Sequence, residues 1–408
     1  MKSSPLQFLI GSLCLLQLSG FGQNTADSTE IIPGNKVLGT RIELSTDINY
    51  GSTNLTNKFI EKLLFGGRIN DEMKDEGIGN INKKSRFGVE LNYDIKYVNL
   101  TDTLFQKLPD YNYYVGFGSY SNVSAAYSKD LFSTAFYGNK QFENQTAELG
   151  NSSFISTKFE KITIGLISKD NKTSYGVSLI IGDRLNSLNF KKANMFTHTD
   201  GTKIDMDYEG TIQLSDNENP GTFMSFTGAG LGLDYSKELY NHRLTVTNFG
   251  FSIWSKNSRY SSTEKQYEFE GVEIDNILKV TGEELRENAL ELLPELEDKP
   301  IVSLLPTIFT INRVMNDSVE WQPTYGVRYK LLSNYLPYAN AGVIYKVNQH
   351  FWVRGAAAYG GYAGLRAELG IYANYKHFNA GVESLNVTGM FMENGNGNGL
   401  QLFFNATF

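Results

Sequence analysis

Apolar and polar residues alternate one for one along much of this chain. Over 41–50, Ile42, Leu44, Ile48 and Tyr50 fall on one side and Arg41, Glu43, Ser45, Asp47 and Asn49 on the other. Over 87–97 the split is cleaner, with Phe87, Val89, Leu91, Tyr93, Ile95 and Tyr97 against Gly88, Glu90, Asn92, Asp94 and Lys96. An extended strand places successive side chains on opposite faces, whereas a helix would spread these charges around its circumference. The same rule holds for Ile204, Met206 and Tyr208 against Lys203, Asp205, Asp207 and Glu209. It holds again for Leu365, Ala367, Leu369, Ile371, Ala373 and Tyr375 against Arg366, Glu368, Gly370, Tyr372 and Asn374. Further strands are expected near 111–119, 155–168, 173–183, 225–236, 243–255, 265–275, 306–315, 321–331, 336–347, 350–360, 376–386 and 400–408. The total is about sixteen, each near the ~9–11 residues that a tilted membrane-crossing strand needs.

Connection lengths support the same reading. In a barrel with a periplasmic amino terminus, odd connections are long outer loops and even ones short inner turns. Long segments at 51–86, 120–154, 184–201, 276–305 and 387–397 obey this, as do tight turns such as Lys169-Asp170-Asn171-Lys172 and Asn348-Gln349-His350. The segment 215–224 is long where a turn belongs, so a count of about fourteen, dropping 225–236 and 265–275, fits as well as sixteen. Two helical inserts are expected in outer loops. Over 56–65, Phe59, Ile60, Leu63 and Leu64 form one stripe that stops at Gly66-Gly67. Over 282–297, a capping box at Thr281-Gly282-Glu283-Glu284 precedes Leu285, Ala289, Leu292, Leu293 and Leu296, with Pro294 to kink or stop the helix. Such helices either cover the lumen mouth or dock, solvated, on the rim.

Composition narrows the class. The 408 residues carry 41% hydrophobic and 13% aromatic residues, too many for intrinsic disorder, and one cysteine, too few for an intrachain disulfide or a thiolate zinc cage. A net charge of −7 argues against nucleic acid as a partner. Mean hydropathy of −0.30 does not exclude a membrane barrel, whose lipid-facing and lumen-facing residues cancel in any average. Lys2 and the apolar run 8–18 predict a secretory signal peptide over 1–22, too short to span a bilayer as a helix. Its removal takes away Cys14 and leaves a thiol-free chain, with 23–40 as a periplasmic segment and 41–408 as the barrel. The fold class is therefore all-β, a transmembrane antiparallel β-barrel with short helical inserts. Tyr50, Tyr97, Tyr113, Trp254, Trp352, Tyr359 and Tyr375 are expected in its interfacial girdles. The last strand ends on an aromatic and resembles the terminal strand that outer-membrane proteins present to their assembly machinery, with Phe404 and Phe408 as the signal.

Enzyme chemistry is sparse. The four histidines are scattered, and no HExxH, GxSxG or P-loop occurs, so no enzyme, metal or cofactor is expected. Gly228-Ala229-Gly230-Leu231-Gly232 lacks the helix a dinucleotide loop needs and reads as a smooth strand face. The lumen-facing candidates are Glu90, Asp94, Lys96, Lys203, Asp205, Asp207, Glu209, Arg366 and Glu368. They either bind cations or polar solute, or pair across strands into a ladder that fills the barrel.

The stretches YGNKQFENQTAELGNSSFIS, ITIGLIS and SYGVSLIIGDRL within 137–185, LTVTNFGFSIW (244–254) and GIYANYKHFNAGVESLN (370–386) resemble a group of Bacteroidota outer-membrane barrels of unassigned function. That group is distantly similar to the long-chain fatty-acid transporter (FadL-like) family, which implies a fourteen-stranded barrel with an amino-terminal plug. Only 24–40 precede the first strand here, leaving little chain for such a plug. The resulting expectation is a barrel in the outer membrane of a Gram-negative bacterium, contacting its lipids and the barrel-assembly machinery. Its expected role is passive uptake of a hydrophobic or small solute; the alternative is a non-transporting scaffold for a secretion or surface complex.

Overall fold

The computed structural model describes residues 40–81, 84–99, 101, 107–199, 203–216, 224–269, 296–315, 319–331, 334–392 and 394–408. The expected signal peptide, the segment 23–39 and nearly all of the expected helix at 282–297 lie outside the described residues.

The strands are, in chain order, β1 (Arg41–Ser52), β2 (Lys84–Asn99), β3 (Tyr111–Ser128), β4 (Gln145–Glu148), β5 (Ser152–Ser168), β6 (Thr173–Thr197), β7 (Ile204–Leu214), β8 (Gly228–Leu239), β9 (His242–Trp254) and β10 (Arg259–Phe269). They continue as β11 (Glu297–Asp298), β12 (Val302–Leu304), β13 (Ile308–Arg313), β14 (Trp321–Lys330), β15 (Leu336–Lys346), β16 (Phe351–Gly361), β17 (Arg366–Tyr375), β18 (Phe378–Ser384) and β19 (Gly397–Thr407). Fourteen of them close an antiparallel ring in the order β1-β2-β3-β5-β6-β8-β9-β13-β14-β15-β16-β17-β18-β19. The last strand returns to the first, from Arg41↔Thr407 to Gly51↔Gly397. Closure leaves no unpaired edge, which is what allows a sheet to sit in hydrocarbon.

The alternation read from sequence follows the wall. On β1 the odd-numbered Arg41, Glu43, Ser45, Asp47 and Asn49 are buried, while Leu44 and Ile48 are exposed. The outward-facing residues line up through the hydrogen-bonded register: Phe404, Leu44, Ile95, the half-buried Phe117, Ile162, Leu179, Leu231, Phe251 and Leu304 are successive partners. On the remaining strands Ile311, Val327, Val343, Phe351, Leu369, Ile371 and Val382 are likewise exposed. An apolar belt therefore circles the whole barrel, far larger than the patches a water-soluble monomer leaves open. Leu402 and Phe404 belong to it, and Phe408 is exposed with its N–H donating to the carbonyl of Thr40.

Two expected strands are not in the ring. Over 186–197, β6 runs on past the ring and pairs with β7, which pairs in turn with β10. One face of this ribbon packs Ala193, Met195 and Tyr208 against Ala147 and Leu149, and the other is wet. A ribbon covered on one side alternates just as a barrel strand does, which is why 203–209 reads as wall; of the strand expected at 265–275, residues 265–269 belong to β10 and 270–275 lie outside the described residues. The segment 225–236, by contrast, is ring strand β8. The segment 184–201, expected as a loop, is largely the ribbon itself.

Helices α1 (Asn57–Phe65), α2 (Asp71–Gly79), α3 (Lys129–Tyr137) and the short α4 (Val387–Phe391) occupy the loop end. Asn70 and Ser128 cap α2 and α3 by accepting from the amides of Met73 and Leu131. On α2 the Lys74 ammonium donates to Asp71 at 2.8 Å and holds that carboxyl below its ordinary range. Phe59, Ile60, Leu64, Met73 and Phe132 make one cluster with Phe87, and half-buried Tyr50, Val89 and Tyr127 pack on it. Those strand residues point outward, so α1 docks on the outer flank of the rim and does not cover the lumen.

Candidate functional site

The inward faces of the strands meet in the middle. β14 stands diametrically opposite β2, seven places away around the ring in either direction. Lys330 of β14 nevertheless donates to Glu90 at 2.8 Å and to Asn122 of β3 at 3.0 Å, and Arg328 reaches Asp47 of β1 at 3.4 Å. Opposite walls are thus pinned together by side chains alone. Glu90 and Asp47 are fully buried and Lys330 is 4% exposed, so each charge depends on its mate across the lumen.

Above this latch, at the loop end, two short connections fold inward. The β16–β17 hairpin turns on Gly360, Gly361 and Gly364, all with positive φ, which a side chain would strain. It lays fully buried Tyr362 over the backbone of Gly88, where any Cβ would collide with the ring, and sets Ala363 against Gly51. The Tyr362 hydroxyl donates to Asn122 at 3.3 Å, and Tyr335, from the β14–β15 connection, packs edge-on to it at 5.1 Å. These two tyrosines stand over the latch and narrow the lumen at this end with it.

At the opposite end Ile344, Trp352, Tyr372 and Phe403 form a buried cluster, with Tyr372 stacked on Phe403 at 5.6 Å. Gly381 leaves the room those rings occupy. Just above, Arg354 donates to Glu368 at 3.2 Å and also bonds Glu383, while the Tyr338 hydroxyl donates to Glu368. Trp352 and Trp254 therefore depart from the expected girdle. Both stand at inward positions, in step with Arg354 and Ser252, and Trp254 donates to Ser303 at 2.8 Å. Tyr97, Tyr359 and Tyr375 are exposed on the outside as expected.

Between latch and aromatic cluster lies a cavity of about 140 Å³. Its wall comes almost entirely from strand side chains and sets charged groups, among them Asp94, Lys96, Lys161, Asp234, Arg354, Arg366 and Glu368, among apolar ones such as Ile95, Ile308 and Leu385. Lys161 bridges to Asp234 at 3.0 Å and to Asn248 at 2.9 Å, Lys96 faces Glu43 at 3.7 Å, and the Tyr120 hydroxyl donates to Asp94 at 2.6 Å. On β8 the smooth face holds: Gly228, Gly230 and Gly232 share the inward side with Asp234, and Leu231 and Leu233 are exposed outside.

Of the nine candidate lumen residues, the structure brings together Glu90, Asp94, Lys96, Arg366 and Glu368 inside the ring. Lys203, Asp205, Asp207 and Glu209 are elsewhere. They sit beside or on β7, where Asp207 pairs with Lys192 at 2.5 Å, Glu209 with Lys191 at 3.0 Å and Asp205 with His198 at 2.8 Å. Sequence reading did not single out Arg328, Lys330, Arg354 or Glu383. Their signal was present, since Gln322, Thr324, Gly326, Arg328 and Lys330 alternate with Trp321, Tyr325, Val327 and Tyr329. Among the described residues no group of three or more His, Cys, Asp or Glu is placed to hold a metal ion.

No protein-family model matches this chain, and no curated protein matches it. Among solved structures it is similar to the Pseudomonas putida toluene transporter TodX, at 11% identity over 96% of this chain and 99% of that one, with a TM-score of 0.35. A Pseudomonas aeruginosa FadL homologue matches at 11% identity over 90% and 89%, TM-score 0.35. The translocator domain of the autotransporter NalP from Neisseria meningitidis matches at 8% identity over 92% and 90%, TM-score 0.31. Similarity at this level carries no functional argument; the geometry of the lumen has to supply it.

Proposed function

We propose that this chain is an outer-membrane barrel that admits a small solute through a lumen closed at rest. One observation carries the reading: a charge-lined cavity separated from the loop end by the Lys330–Glu90 and Arg328–Asp47 side-chain pairs and by the two short connections that carry the rings of Tyr335 and Tyr362. Side-chain barriers move on far faster timescales than a strand or backbone plug. A barrel of about fourteen strands encloses more space than its side chains must fill, so opening them leaves a passage. The apolar belt supports insertion in a bilayer. Delivery there is assigned to the barrel-assembly machinery, through the strand that carries Phe404 and Phe408.

A second reading, a non-transporting scaffold, is favoured by the helical cap on the outer rim and by the exposed Met390, Phe391 and Met392 beside it. Purified protein in a planar bilayer separates the two. A gated path gives rare, brief openings in the wild type and a raised open fraction in Tyr362→Ala. Silence from both, in barrels shown to be folded by heat-modifiable gel migration, favours the scaffold.

A further inference from the structure

Resting on the reading of the lumen as a solute path, we infer that the chamber selects neutral, polyhydroxylated solutes of about glycerol to erythritol size. Five acidic and five basic side chains line the cavity, so its wall has no net charge. The charges are mated: Lys161 with Asp234 at 3.0 Å, Arg354 with Glu368 at 3.2 Å, Lys96 with Glu43 at 3.7 Å. A solute ion of either sign must pull one of these pairs apart, leaving a partly desolvated charge behind. A zwitterion must do so twice. An apolar solute fares no better, because it strips water from every one of these groups and returns no hydrogen bond.

A hydroxyl group escapes this conflict. It accepts from an ammonium or guanidinium and donates to a carboxylate at once, bridging a pair without separating it. The wall also offers seven serine and threonine hydroxyls, which extend the same exchange along the path. Size follows from volume: the cavity of about 140 Å³ matches the ~150 Å³ that holds a six-carbon ring in a protein interior. Glycerol has the same number of heavy atoms.

The experiment is osmotic swelling of liposomes carrying the full barrel, corrected for protein-free liposomes, in isotonic erythritol, alanine or sodium lactate. Erythritol is expected to enter about tenfold faster than alanine or lactate. Asp234→Asn, which leaves Lys161 without its carboxylate, is expected to shift selectivity toward lactate by about tenfold relative to erythritol. Glu383→Gln, acting on Arg354, provides a second variant should the first fail to fold. Equal or faster entry of the charged solutes into wild-type liposomes overturns the selectivity while leaving a solute path intact. No entry of any solute, in wild type and Tyr362→Ala alike, removes the uptake reading and the selectivity with it.

Discussion

Lys330→Ala turns a mostly silent barrel into a steadily conducting one. The ammonium of Lys330 is the near partner of Glu90, which is fully buried, and it also holds Asn122. Removing one member of a buried pair costs about 3–5 kcal/mol when the remaining charge stays dry. Inside a lumen that charge has a cheaper course, which is to admit water, and water across the latch level is an open path. Single-channel recording is expected to show long openings, and the midpoint of heat-modifiable unfolding is expected to fall. The double variant Glu90→Gln, Lys330→Met removes both charges of this pair, leaves Arg328 with Asp47, and is expected to recover most of the lost stability. A Lys330→Ala barrel with wild-type conductance and wild-type unfolding would mean that the cross-lumen pair neither seals nor stabilises.

Leu231→Arg acts on the opposite face. Leu231 is exposed, lies in the middle of the belt and has Leu179 and Phe251 as register partners on either side. Arginine on the lipid face of a barrel costs about 2–4 kcal/mol at the bilayer midplane. Urea titration of folding into phospholipid vesicles is expected to show a loss of that size. Glu76→Arg, on the exposed side of the last turn of α2, is expected to change stability by no more than about 0.5 kcal/mol. Equal effects from the two substitutions would remove the distinction between a lipid-facing wall and a wet cap.

The wall of the barrel was legible in the sequence because period two is local. Each of Leu44, Ile95 and Val177 needs only its own neighbours to declare a face, and the structure keeps those faces. What period two does not encode is which sheet a strand joins. Ile204, Met206 and Tyr208 alternate with acidic residues because α3 and β4 shelter one side of a ribbon, and the pattern carries no mark of that shelter. The count of ring strands was therefore open until pairing was known, although the long segment at 215–224 pointed to the irregularity. The candidate site was legible by half. Glu90 and Glu368 were recognisable as inward charges from their own strands. Their partners were not, since the mates of Glu90 lie 238 and 240 residues further along the chain at Arg328 and Lys330. Tyr362 was hidden for a different reason: its role depends on glycines at Gly88, Gly360 and Gly361 that let a tight hairpin fold inward. A glycine pair in a turn looks the same whether the turn leans in or out.

Everything functional depends on β2 dividing lipid from lumen residue by residue. Cys14 is the only cysteine of the chain, so a single cysteine can be set in turn at Leu91, Asn92, Tyr93, Asp94, Ile95 and Lys96 of the mature protein and labelled with an environment-sensitive fluorophore. In vesicles with brominated acyl chains, a membrane barrel predicts strong quenching at 91, 93 and 95 and little at 92, 94 and 96. Quenching absent at all six positions, or equal on odd and even ones, would contradict a closed wall with lipid on one side and a polar chamber on the other.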